Sequence, residues 1–86
     1  MSSKKDPLTD VMEERFRQDQ KWGEQNHQPS KWALILLEEL GEVSKAILEH
    51  NDTQYRKEMV ECCAVALAAL ESFQRQHSKR GKYQKE

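Results

Sequence analysis

The stretch from Ile35 to Glu61 constrains this chain most, because both of its ends set carboxylates into apolar helical faces. It begins Ile35-Leu36-Leu37-Glu38-Glu39-Leu40-Gly41-Glu42-Val43 and ends Lys57-Glu58-Met59-Val60-Glu61. A helix turns by roughly 100° per residue, so the residues sharing a face follow from spacing. In the first segment Trp32, Ile35, Leu36, Leu40, Val43 and Ile47 make one apolar stripe. Glu39 falls near its middle and Glu42 at its edge, while Glu38 points to the polar flank. In the second segment, Met59 to Leu70 is apolar at every position except Glu61. Glu58 shares a face with Cys62, Val65 and Ala69, and Glu61 borders that face beside Val65 and Ala68.

An ionised carboxylate on an apolar face costs several kcal/mol or shifts its pKa. Several together also repel one another. A bound divalent cation resolves both problems. Hard cations such as Mg²⁺ take carboxylate oxygens and water and suit phosphate substrates. Glu-x-x-Glu places two such ligands one turn apart on a helix. Spacing alone leaves a second reading open, in which these glutamates sit on solvated edges or pair with Lys and Arg.

The same residues resemble the MazG-like, all-α nucleoside triphosphate pyrophosphohydrolases. That family carries Glu-Glu-x-x-Glu followed, one to three dozen residues later, by Glu-x-x-Asp. Here the first motif reads Glu38-Glu39-Leu40-Gly41-Glu42, and the second reads Glu58-Met59-Val60-Glu61, with Glu61 in the place of the final Asp. Carried over residue by residue, the resemblance implies metal ligation by Glu39, Glu42, Glu58 and Glu61, the four that the facing argument selects. The run Arg17-Gln18-Asp19-Gln20-Lys21-Trp22-Gly23-Glu24-Gln25-Asn26-His27 looks like the N-terminal segment of small MazG-like proteins, where it helps form the nucleobase side of the pocket. The likeness spans residues 13 to 73.

The expected activity is Mg²⁺-dependent hydrolysis of a nucleoside or deoxynucleoside triphosphate to the monophosphate and pyrophosphate, with Mn²⁺ an alternative cofactor. Glu39 or Glu38 would accept the proton of the attacking water. Lys21, Lys45, Arg56 and Lys57 are candidate phosphate contacts, each also readable as an ordinary surface charge. Trp22, Asn26, His27 and Trp32 would shape the base pocket, since an indole stacks on any base. The rival expectation is a non-catalytic helical protein that binds nucleotide or metal, or a helical oligomerisation module.

Taken in order, the chain reads as three helices. Asp6-Pro7 is an N-cap followed by Pro at the first helical position. Leu8, Val11, Met12, Phe16 and Trp22 then recur at helical spacing as far as Lys21, with Gly23 as the stop. Ser30 is the expected cap of the second helix, which extends to Glu49 or His50. Gly41 inside it costs about 1 kcal/mol relative to Ala, which a close helix contact or a bound phosphate would justify. Asn51-Asp52-Thr53 is a turn and cap cluster, and the third helix runs from Thr53 to Gln76.

The third helix is apolar nearly all round through its middle, so a lone three-helix chain cannot cover it. The expected architecture is therefore all-α, three main helices per chain assembling as a homodimer or homotetramer into a helical bundle, which the resemblance also implies. Residues 6–76 make the helical domain, and 77–86 are expected to be a disordered basic tail.

Composition excludes little but is consistent. Charged residues are 34% and the net charge is −1, so no affinity for a nucleic-acid polymer follows. The apolar run Met59 to Leu70 is too short to span a bilayer. No apolar leader is visible, and the expected location is cytoplasmic. Cys62 and Cys63 are adjacent, too divergent on a helix to bond to each other, and are expected as free thiols.

Overall fold

A computed structural model describes residues 6–79, which form three α-helices and contain no strand. Helix α1 spans Pro7–Trp22, α2 Pro29–Leu48 and α3 Asp52–Lys79. The helix boundaries follow local chemistry. Asp6 caps α1 by accepting a hydrogen bond from the Thr9 backbone N–H at 3.2 Å, with Pro7 in the first turn. Gly23 ends α1 at φ +74°, a conformation that suits a residue without Cβ, and its N–H donates to the Asp19 carbonyl at 2.8 Å.

Helix α2 begins one residue before the expected cap. Gln28 holds the N-cap position and Pro29 the first turn, which places Ser30 inside the helix. Proline's fixed φ starts the helix without a side-chain cap. At the other end His50 adopts φ +54°. Its N–H donates to the Ile47 carbonyl, and the Asn51 N–H donates to the Ala46 carbonyl, both at 3.0 Å. This paired closure satisfies the Ala46 and Ile47 carbonyls in the last turn of α2. The Asn51 side chain then accepts from the Gln54 N–H at 3.0 Å and opens α3. Helix α3 continues to Lys79, past the expected end at Gln76, and residues 80–86 lie outside the described ones.

Helix α3 is the common element: α2 packs along one side of it and α1 along another. The tight turn at 49–51 makes α2 and α3 antiparallel. Trp32, Val43, Ala46, Ala64 and Val65 are buried between and beside them.

Helix α1 does not dock as its hydrophobic spacing suggests. Leu8, Met12 and Phe16 are exposed, whereas Asp10, Arg15 and Gln18 are buried. The contact with α3 is ionic: Asp10 pairs with Arg56 at 2.7 Å, and Arg15 pairs with Glu71. Arg15 also makes a two-pronged bond to Asp19 at 3.1 and 3.2 Å. The buried face of α1 thus carries paired charges, while Leu8, Met12 and Phe16 face outward.

The small core leaves much apolar surface uncovered. Leu37, Leu40 and Ile47 of α2 and Leu70 and Phe73 of α3 are all exposed. No described helix is long and apolar enough to cross a membrane.

Candidate metal and nucleotide site

Glu39 of α2 and Glu58 and Glu61 of α3 bring one carboxylate oxygen each within 4.8 Å of one another. The helical register explains the meeting. Glu39 lies in the centre of the α2 face that packs on α3, and Glu58 and Glu61 lie one turn apart on the α3 face that receives it. Glu58 is only 9% exposed, and the other two are half-buried.

Each α3 carboxylate has a partner on its own helix. Gln54 donates to Glu58 at 2.6 Å, and Lys57 donates to Glu61 at 2.9 Å. That pairing raises the Lys57 pKa, chiefly through the hydrogen bond and then through the charge of Glu61. No described residue donates to Glu39. Burial, then the charges of Glu61 and Glu58, with smaller contributions from Glu38 and Glu42, push the Glu39 carboxyl above its ordinary value. Desolvation and unrelieved negative charge thus converge on this one group.

Glu42 stands apart from this cluster. Three residues of helix carry it about 60° round from Glu39, onto the exposed polar flank of α2. Glu38 is exposed as well. The structure therefore gathers three of the four expected ligands and leaves Glu42 outside.

Glu39 and Glu61 open onto a groove of about 1130 Å³ between α1 and the α2–α3 pair. Trp22, Trp32, Lys21, Arg56 and Lys57 line it. Trp32 is 6% exposed, and its indole N–H finds no acceptor among the described residues. Trp22 stands open, with the Lys21 ammonium 4.8 Å from the ring centroid.

Three expected pocket residues lie elsewhere. His27 does not line the groove but a second cavity that shares Trp32 with it and is also lined by Leu36, Leu70 and Phe73; the His27 ring lies 4.9 Å from that of Trp32. Asn26 is occupied by Glu24 and Arg75. Lys45 is exposed in the last turn of α2, outside the groove.

The groove also holds residues that spacing did not single out. Glu13, Glu14 and Arg17 of α1 line it, as does Gln25 of the following loop. A helix whose polar side faces a cleft looks, in sequence, like any solvated helix. Asp10 and Arg15 gave no sequence signal of their own, because their partners Arg56 and Glu71 lie far along the chain.

Cys62 and Cys63 are both free, and burial raises the Cys62 thiol above its ordinary range. A three-helix, all-α protein with a carboxylate cluster at the edge of an aromatic and cationic groove is thus defined. Comparison with family models, curated proteins and solved structures gives no match.

Proposed function

We propose that the protein is a Mg²⁺-dependent pyrophosphohydrolase of nucleoside or deoxynucleoside triphosphates, of the MazG-like kind. The observation that carries this reading is the meeting of Glu39, Glu58 and Glu61 at a groove that also holds two tryptophans and four cations. The donor set fits a hard cation. Magnesium holds oxygens at about 2.1 Å in an octahedron, so opposite ligands stand about 4.2 Å apart. Carboxylate oxygens within 4.8 Å reach that span by small rotations of their side chains.

Bound there, the ion would supply charge neutralisation at the phosphates and an acidified water. The chain's own residues do the rest. Glu39, to which no described residue donates, has an oxygen free to accept the proton as water attacks the α-phosphorus and pyrophosphate leaves. Glu38 is exposed and does not line the groove. Lys57 and Arg56, now paired with Glu61 and Asp10, exchange those partners for phosphate oxygens. The base stacks at the Trp22 and Trp32 end.

The active form is a homo-oligomer, a dimer or tetramer, that covers the exposed α2 and α3 residues Leu40, Leu70 and Phe73. The reading places the protein in the cytoplasm, with neither a membrane nor a nucleic-acid polymer as partner.

One observation favours a second reading. Gln54 and Lys57 already satisfy Glu58 and Glu61, as in a protein that binds nucleotide without turning it over. Pyrophosphate release decides between them. Purified protein with Mg²⁺ and a panel of ribo- and deoxyribonucleoside triphosphates is expected to release pyrophosphate from at least one. Folded protein that binds a nucleotide but yields no product supports the second reading.

A further inference from the structure

We propose that Arg75 is a positioning residue that holds Gln25 in the wall of the groove, where the Gln25 carboxamide meets the heterocycle of the bound nucleotide. This rests on the nucleotide reading above and adds to it the group that reads the base.

The loop between α1 and α2 is bonded to the end of α3 at successive residues. Arg75 donates from Nε to the Asn26 side-chain oxygen at 3.0 Å and from Nη2 to the Gln25 carbonyl at 3.1 Å. Its Nε also lies 3.2 Å from the Glu24 carboxylate. Gln76 donates to the His27 carbonyl at 3.2 Å. A surface loop ordinarily gives such carbonyls to water. Here the guanidinium fork takes one directly, and charge-assisted bonds of this kind are the strong ones.

What the strap holds in place faces the groove. Within the loop, Gln25 is the residue that lines it. Its amide nitrogen is 3.5 Å from the His27 ring, which lies against Trp32, so Gln25 belongs to the tryptophan end. Trp32 and Glu39 are separated along α2 by about 10 Å at 1.5 Å per residue, which leaves room for sugar and phosphates between them. A carboxamide carries a donor and an acceptor side by side, the pattern that matches a base edge. Because α3 bears Arg75 as well as Glu58 and Glu61, one helix sets both ends of the groove.

The test measures ligand and metal separately in the full chain. Hydrolysis-resistant α,β-imido analogues of dATP, dGTP, dCTP, dTTP and dUTP are titrated with Mn²⁺ present, read by the fluorescence of the two groove tryptophans. Mn²⁺ alone is titrated by electron paramagnetic resonance. Arg75→Ala is expected to weaken every analogue roughly tenfold, the loss of one good hydrogen bond, with Mn²⁺ affinity unchanged. Arg75→Lys recovers part of that loss. Gln25→Ala changes the ratio of affinities among the bases.

Wild-type binding that Arg75→Ala, with its helical signal intact, leaves untouched overturns this inference alone. So does Gln25→Ala with unaltered base preference, and that variant decides the matter if Arg75→Ala unfolds. Wild type that binds Mn²⁺ but no analogue ends the nucleotide reading and this inference together.

Discussion

Glu39 of α2 and Glu61 of α3 hold carboxylate oxygens within 4.8 Å of each other, and no described residue donates to Glu39. Two like charges that close, with one of them desolvated, store repulsion in the metal-free protein. The folded-state pKa of Glu39 is raised above its ordinary 4.5. A raised carboxyl pKa means that the folded state binds this proton more tightly than the unfolded one. The contribution is stabilising below pH 4.5 and is lost as pH rises through the folded value. Glu39→Gln, which cannot ionise, is therefore expected to raise the melting temperature of metal-free protein at neutral pH. The gain should shrink as pH falls toward 4.5. Thermal melts of both proteins across that interval check it, and a pH-independent difference contradicts it.

Arg15 anchors α1. Its side chain is 9% exposed and bonded to both Asp19 and Glu71, which remain partly open to water. Arg15→Ala leaves those acids able to hydrate, so the loss is moderate, about 1–3 kcal/mol. Arg15→Met, which keeps the apolar stem, should lose less. Urea unfolding of the three proteins gives the comparison.

The exposed apolar side of α2 and α3 predicts assembly. Leu70 is 62% exposed on the helix that the sequence makes apolar nearly all round. Leu70→Glu would bury a charge in any interface formed there. Wild type is expected to sediment as a dimer or larger, and Leu70→Glu as a monomer with its helical signal retained. A wild-type monomer at micromolar concentration contradicts the assembly.

Two backbone positions predict opposite responses to glycine. A Cβ built at Gly41 meets nothing within 4 Å, so the expected close helix contact is absent from the single chain. Gly41→Ala should stabilise by about 1 kcal/mol. His50 sits at φ +54°, where a side chain is strained, so His50→Gly should also stabilise, by about 1 kcal/mol. Destabilisation by Gly41→Ala would place that residue against a second copy of the chain or a ligand.

Much of this was legible in the sequence. Asp6-Pro7 and Gly23 bracket α1 as their backbone preferences require. The 100° spacing that put Glu39, Glu58 and Glu61 on inward faces also brings them together. The same arithmetic set Glu42 at the stripe's edge and counted it inward, whereas the structure turns it outward. The orientation of α1 was not legible, because Leu8, Met12 and Phe16 suggest a buried stripe while Asp10 and Arg15 win the contact through partners far along the chain. Arg75 reads as part of a basic tail until α3 is seen to carry it back onto the loop.

The central claim is that acids from two helices share one cation. Titration of Mn²⁺ into wild type, Glu39→Gln, Glu61→Gln and Glu42→Gln, followed by electron paramagnetic resonance, tests it most directly. Wild type should bind, Glu39→Gln and Glu61→Gln should each lose roughly tenfold or more in affinity, and Glu42→Gln should lose least. Mn²⁺ binding that is absent from wild type, or unchanged in Glu39→Gln, contradicts the account.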